Sequence, residues 1–153
     1  MKIIEFLSPD AVIAQLSARS KPELLQEMGR LIARAHPPAD PARLVEVLEE
    51  RERLGSTGIG EGVAIPHGKL AGLPGLVAAF GVSKGGLDFN AVDGKPTYLF
   101  FTLVAPENSA GMHVKALALI ARLFRNPRLR EAVLRAESAE AIYQLISQED
   151  AKA

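Results

Sequence analysis

The sequence contains no cysteine among its 153 residues, which excludes disulfide bridges and thiolate metal sites. It also has no excess of charge, because 18 Lys and Arg residues offset 18 Asp and Glu residues. This balance argues against a general nucleic-acid-binding protein and leaves only a local basic patch open. No apolar run approaches ~20 residues, so no segment is predicted to insert into a membrane.

The amino terminus lacks the pattern of a secretory signal peptide. Its short apolar stretch is interrupted by Glu5 and Asp10, too early for such a peptide. The length fits a single domain, covering residues 1–153, that buries a core without disulfides or metals. We therefore expect a soluble, cytoplasmic, single-domain protein.

The amino-terminal third is predicted to contain one strand and two helices. Residues 12–18 alternate between apolar and small or polar side chains, which is typical of a strand. Ser20 opens the capping-box sequence SKPE, and apolar residues at helical spacing then predict a helix over 21–35. A second helix is predicted to begin at Asp40 and the proline after it, and to end near Gly55.

Three short apolar runs bounded by glycine and proline predict buried strands in the middle of the chain. These runs are residues 63–65, 76–82 and 97–105. Between the last two, the sequence VDGKP predicts a hairpin that turns at Asp93-Gly94.

Three helices are predicted to complete the chain. The first spans 112–125, and Asn126 and Ser138 each begin another. The apolar side chains at helical spacing in the first helix are Val114, Leu117, Ile120, Ala121 and Phe124. Strands inside a helical frame predict an α/β fold, a single sandwich domain.

The segment GSTGIGEGVAIPHGK, residues 55–69, does not fit the common phosphate-binding loops. Five residues rather than four separate Gly62 from the later Gly-Lys pair, and Leu70 replaces the hydroxyl of a Walker A motif. The glycine spacing also fails the dinucleotide fingerprint. The glycines allow the amides of Ser56, Thr57, Gly58, Ile59 and Gly60 to turn toward an anion. A tight helix-to-strand connection is the alternative for the same residues.

Two histidines are predicted to lie at one edge of the sheet. His67 follows an apolar strand that Pro66 ends, and α/β proteins commonly place their sites just beyond a strand. His113 falls in the first turn of its helix, shortly after another apolar strand. If the two strands are parallel neighbours, both rings lie together. His36 precedes two prolines in a loop and receives no role.

Arg51 is the third candidate residue. It lies beside the buried face of its helix, shortly before the glycine-rich segment. Arg53 is an equal alternative, since either arginine complements the carboxyl end of the helix. The sequence therefore leaves the choice between the two open.

The sequence RERLGSTGIGEGVAIPHGK resembles the signature of the fructose/mannitol-type IIA domains of the bacterial phosphotransferase system. Within that family the similarity is greatest to the nitrogen-regulatory branch, and it extends over residues 1–148. The resemblance implies a mixed β-sheet between helices. It also implies that His67 accepts a phosphoryl group from a histidine phosphocarrier protein, and that Arg51 and His113 flank it. Phosphoryl transfer to a neutral imidazole requires no metal and no cofactor.

One residue departs from the family pattern, and two functions stay open. Glu61 stands where the family often has asparagine, and we expect its carboxylate to face solvent, away from a bound phosphate. One function is regulation by phosphorylation-dependent binding of partners; the other is transfer of the phosphate to a IIB domain. A metal site formed by His67, His113 and Glu61 is disfavoured, because the spacing matches no common ligand motif.

The apolar residues around His67 predict a docking surface for the phosphocarrier. Ile59, Val63 and Ile65 are the candidates, and at least some are expected to be exposed. Val63 and Ile65 fit a core position better than a surface one.

Overall fold

The computed structural model describes residues 1–152, and within them a mixed six-stranded β-sheet is flanked by five α-helices. The elements, in chain order, are β1 (Leu7–Ile13), α1 (Lys21–Ala35), α2 (Pro41–Arg53), β2 (Gly58–Gly60), β3 (Val63–Ala64), β4 (His67–Leu70), β5 (Val77–Leu87), β6 (Thr97–Pro106), α3 (Ala110–Leu123), α4 (Pro127–Arg135) and α5 (Ala139–Ala151). A short 3-10 helix precedes β1. The predicted α/β class, with a mixed sheet between helices, is confirmed.

The strand order across the sheet is β1-β5-β6-β3-β2, and β4 also pairs with β6. β1 runs parallel to β5, and both β3 and β4 run parallel to β6. β5 and β6 are antiparallel, as the predicted hairpin requires. Its turn lies at Asp93-Gly94, where the Gly94 amide donates to the carbonyl of Ala91 at 3.0 Å.

The predicted strand over 12–18 is displaced in the structure. The strand is β1, Leu7–Ile13, and after it one backbone bond to β5 remains, from the amide of Leu16 to the carbonyl of Val82 at 2.7 Å. The amides of Ser17 and Ala18 donate to Oε1 of Glu27, at 3.0 and 2.8 Å. The apolar alternation over 14–18 therefore reflects a loop that buries alternate side chains and keeps a single bond to the sheet.

Four of the five predicted helix starts are confirmed by their caps. The hydroxyl of Ser20 accepts a hydrogen bond from the amide of Glu23 at 3.3 Å and so begins α1. Asp40, Asn126 and Ser138 cap α2, α4 and α5 through the same kind of bond. These bonds satisfy amide groups that have no partner within the helix.

The buried face of α3 differs from the prediction. Val114, predicted to be inward, is 66% exposed, whereas His113 is only 6% exposed and takes an inward position. The helix also begins at Ala110 rather than 112. The apolar periodicity shifted the predicted buried face by one residue, from His113 to Val114, because histidine is not counted as an apolar residue.

The core occupies both faces of the sheet. Phe100 and Phe101 are adjacent on β6 and so point to opposite faces. Phe101 lies 5.8 Å from Phe80 and 6.1 Å from Phe124, between ring centroids, on the face that carries α3. Phe100 contacts Phe89 at 5.3 Å on the other face. Within residues 1–152 no helix is both long and apolar enough to cross a membrane.

Candidate active site

Strands β3 and β4 form one interrupted strand along the same edge of β6. Val63 pairs with Leu99, and His67 pairs with Leu103. Pro66 lies between them and has no amide hydrogen, but its carbonyl accepts the amide of Leu103 at 2.9 Å. The chain therefore stays on the sheet, and His67 begins a strand. His67 therefore follows the end of β3, as predicted, but it also begins a further strand, which was not predicted.

His113 lies against His67, as the predicted parallel pairing requires. β4 and β6 are parallel neighbours, and β6 leads into α3, which carries His113 in its first turn. The two ring centroids are 5.4 Å apart, and the ring planes meet at 78°. His36 lies at the carboxyl end of α1 instead.

Close packing of α2 on β4 places Arg51 beside the histidines. A Cβ added to Gly68 would lie 3.2 Å from the carbonyl oxygen of Val47, a tight contact that would push α2 outward, so glycine favours this close approach. Arg51 is one turn after Val47, on the same side of α2, and lines the cleft with both rings. Its Nη1 donates to the carbonyl of Gly55 at 2.9 Å. Arg53 lines a different groove, so the geometry favours Arg51.

The three candidate side chains share an open cleft of about 470 Å³. Sequence reasoning missed its other lining residues, which are Arg43, Val47, Glu50, Leu54, Gly68, Lys69 and Glu107. The lining residues from 43 to 54 recur at helical spacing, which predicts that they share one face of α2. Lys69 is two residues after His67 on a strand, which predicts that these two side chains share one face of β4. Nothing in the sequence near Glu107 predicts that it lines the cleft, because its position follows from where β6 ends.

His67 presents a neutral imidazole with a defined tautomer. Its Nδ1 lies 2.8 Å from the carbonyl oxygen of Ile65. A carbonyl only accepts, so we assign the hydrogen to Nδ1 and the free lone pair to Nε2. Burial lowers the pKa of His67, the bond to Ile65 opposes this, and the charge of Arg51 lowers it further. The ring is therefore nucleophilic near pH 7.

His113 is neutral as well, and one of its nitrogens has no partner. Burial, together with the charges of His67 and Lys69, lowers the pKa of His113 to about 4. Its Nε2 is buried and lacks a hydrogen-bond partner within the described residues. Buried polar atoms normally have a hydrogen-bond partner, so this unpartnered nitrogen is free to form a hydrogen bond with a group bound to His67.

The glycine-rich segment mainly connects elements of the protein to each other. Both the amide and the hydroxyl of Thr57 donate to Oε1 of the buried Glu52, at 3.2 and 2.6 Å. The amide of Gly58 donates to the hydroxyl of Ser56 at 3.0 Å. These bonds weigh against an anion site at the two amides, and residues 56–60 do not line the cleft. The predicted phosphate-binding role of residues 56–60 stays a prediction.

Glu61 points away from the cleft, as expected. Glu61 and Gly62 have φ values of +57° and +76° and form the tight turn between β2 and β3. The exposed carboxylate of Glu61 lies 3.6 Å from Nη2 of Arg130. Glu61 therefore does not join His67 and His113, and residues 1–152 contain no other grouping of three metal-ligating side chains.

The apolar residues predicted to form a docking surface around His67 differ in exposure. Ile59 is 45% exposed, whereas Val63 and Ile65 are core residues, as expected for those two. Leu54 is 84% exposed and lines the cleft directly. Met112, next to His113, is exposed too.

The family model for the "Phosphoenolpyruvate-dependent sugar phosphotransferase system, EIIA 2" matches residues 5–149. The chain belongs to this family. The resemblance predicted from the segment around His67 is thereby confirmed. The match covers every strand and helix of the sandwich except the last residues of α5.

The similar proteins fall into two groups within the EIIA family, nitrogen regulatory proteins and fructose-specific components. A nitrogen regulatory protein of Bradyrhizobium diazoefficiens is 39% identical, over 96% of this chain and 95% of its own length. A fructose-specific EIIABC component of Bacillus subtilis is 36% identical over 98% of this chain, which corresponds to 24% of that longer protein. The crystal structure of nitrogen regulatory protein IIA-Ntr from Neisseria meningitidis superposes with a TM-score of 0.87 and 38% identity, covering 94% of this chain and 98% of that one.

Proposed function

We propose that this protein accepts a phosphoryl group on Nε2 of His67 from a histidine phosphocarrier protein. The observation that carries the proposal is the neutral ring of His67, whose Nδ1 is bonded to Ile65 and whose other nitrogen is free. Arg51 lines the same cleft and supplies a fixed positive charge. Membership of the phosphotransferase family supports this chemistry.

In the transfer step, the lone pair of Nε2 attacks the phosphorus of the donor's phosphohistidine. The donor's phosphorylated ring is protonated on its other nitrogen, so when its P–N bond breaks the electron pair returns to that ring and the donor leaves as a neutral imidazole. A new P–N bond forms on His67, which keeps its Nδ1 hydrogen on the Ile65 carbonyl and becomes the positively charged ring. The reaction therefore needs no oxidant, metal or separate base, and it depends on positioning and charge neutralisation.

Arg51 and His113 have different roles in this step. The planar guanidinium of Arg51 binds phosphoryl oxygens in both the ground state and the transition state. The unpartnered Nε2 of His113 forms a hydrogen bond with the new phosphoryl group. That bond favours protonation of His113, because the phosphoryl group is negatively charged.

Regulation is the role we favour for the phosphorylated protein. The nitrogen regulatory relatives match it over nearly their whole length. Phosphorylation adds about −1.5 to −2 charges to a cleft bordered by exposed apolar residues such as Leu54. A partner that docks on this surface in the unphosphorylated state is then released. The alternative is transfer to a IIB domain in sugar transport, which the similarity to the fructose-specific component supports.

One reconstitution experiment tests the proposal. The protein is incubated with phosphoenolpyruvate, the general phosphotransferase enzyme and a histidine phosphocarrier protein. We expect an acid-labile, alkali-stable phosphate on His67, and its absence would refute the proposal. Addition of purified IIB domains then separates the two roles, because rapid loss of the label to a IIB domain supports sugar transport.

A further inference from the structure

Lys69 occupies the same side of β4 as His67. Side chains alternate along a strand, and Gly68 and Leu70 are buried while Lys69 is exposed. Residues two apart on one face of a strand are separated by ~6.6 Å at their Cα atoms. The flexible stem of Lys69 therefore brings its ammonium within reach of a group on the ring of His67.

The ammonium of Lys69 has no hydrogen bond and no ion pair within residues 1–152. The other cations of the cleft are engaged in part. Arg43 pairs with Glu46 and Glu50, and Arg51 uses one nitrogen for the carbonyl of Gly55. Among the cleft cations, only Lys69 keeps all of its donors free.

Apart from Lys69, the cleft has no excess of positive charge. Glu50 and Glu107 line it together with Arg43, Arg51 and the two neutral histidines, so the two carboxylates offset the two guanidinium groups. A phosphoryl group of about −1.5 to −2 charges would therefore add an excess of negative charge. A second mobile cation on the same strand as the acceptor offsets that excess.

We propose that Lys69 binds the phosphoryl group on His67 as a second cation, opposite Arg51. The inference rests on the proposed phosphorylation of His67 and adds to it a regulatory consequence. In the unphosphorylated protein the ammonium is presented at the docking surface; in the phosphorylated protein it is neutralised by the phosphoryl group. Phosphorylation thus removes a positive charge from the surface as well as adding a negative group beneath it.

Phosphorus NMR of the phosphorylated protein tests the role of Lys69. Wild type, Lys69→Gln, Lys69→Arg and the control Lys115→Gln are phosphorylated with potassium phosphoramidate, so that docking of a protein donor is not needed. Lys115 is exposed on α3 and does not line the cleft. The pH titration of the phosphorus signal gives the pKa of the phosphoryl group in each protein.

A phosphoryl group that loses a nearby cation binds its proton more tightly. We expect the pKa of the phosphoryl group to rise by about half a unit in Lys69→Gln, the effect of one charge ~6 Å away in water-like surroundings. Lys69→Arg and Lys115→Gln should titrate like the wild type. If Lys69→Gln also titrates like the wild type, the role of Lys69 is overturned while the function of His67 stands. If wild-type His67 takes no phosphoryl group from phosphoramidate or from the protein donors, both proposals fail.

Discussion

Nδ1 of His67 is bonded to the carbonyl oxygen of Ile65, two residues earlier in the same interrupted strand, at 2.8 Å. The backbone that carries the ring thus also fixes its tautomer. Pro66 separates the two residues. The nucleophilic nitrogen is therefore defined locally, before any partner binds.

The first prediction concerns the acceptor atom. His67→Ala should abolish phosphorylation, and His36→Ala should leave it intact, because His36 lies outside the cleft at the end of α1. In wild type, nitrogen NMR of the phosphorylated ring should place the phosphorus on Nε2. Labelling of the His67→Ala protein, or phosphorus on Nδ1, would contradict the assignment.

The second prediction concerns the charged clamp. Arg51→Ala should slow phosphorylation of His67 by ~10²-fold, or about 2.7 kcal/mol, the usual cost of removing one group that stabilises developing charge. Rapid-quench labelling measures this rate. The matched control is Arg53→Ala, which removes the same charge two residues later and from a different groove. A slow Arg53→Ala protein with a normal Arg51→Ala protein would reverse the choice between them.

The third prediction concerns stability in acid. The pKa of His113 is about 4 in the folded protein, below the 6.5 of an unperturbed histidine, so the unfolded state binds more protons between these values. Stability from this group is complete above pH 6.5 and falls as the pH drops toward 4. Between pH 7.5 and 5 the loss should be about 2 kcal/mol. Urea unfolding at both pH values measures it.

His113→Gln is the comparison for this effect. Its loss of stability between the two pH values should be smaller than that of wild type by about the same 2 kcal/mol. The remainder should come from other groups, among them His67 and His36, whose pKa values burial also lowers. An unchanged pH dependence in His113→Gln would show that His113 is not the group responsible.

The fourth prediction concerns docking. Leu54→Asp should reduce the rate of labelling by the phosphocarrier about tenfold, since Leu54 is exposed beside the acceptor and the few residues that dominate an interface cost more than about 1 kcal/mol when they are replaced. Labelling by phosphoramidate should be unchanged. Val92→Asp is the control, because Val92 is a similarly exposed apolar residue in the turn between β5 and β6. Equal loss with both donors would mean that Leu54 supports the site and not the docking.

The fifth prediction concerns Glu61. Its left-handed conformation, φ +57°, suits asparagine better than glutamate. Glu61→Asn should therefore raise the free energy of unfolding by about 0.5–1 kcal/mol without altering phosphorylation. Glu61→Gln removes the contact with Arg130 but keeps the same backbone preference, and should show no gain. Urea midpoints of the three proteins decide the matter.

Local signals in the sequence predicted much of the fold. The caps at Ser20, Asp40, Asn126 and Ser138 fixed four helix starts because a cap depends on only a few neighbouring residues. The first strand was misplaced because alternation over 12–18 describes burial, and a loop held by Glu27 produces the same burial pattern.

The site was predictable to the extent that its residues carry distinctive motifs. His67, His113 and Arg51 meet in one cleft, as expected from strand order and the family signature. Periodicity places Leu54 on the same face of α2 as Arg51, and Lys69 on the same face of β4 as His67, but it does not show that these two faces border one cleft. The amides of Thr57 and Gly58 have acceptors within the protein, Glu52 and Ser56, that only the three-dimensional structure reveals.

The absent side chain of Gly68 sets how closely α2 rests on β4, and with it the separation between the backbone of Arg51 and that of His67. That separation is a property of backbone packing, so only the side-chain torsions of Arg51 remain to be ordered when an anion binds beside His67. Much of the entropy cost of bringing the two residues together is therefore met once, when the chain folds. In the proposed function, successive donors and acceptors meet the same backbone frame, whichever protein approaches.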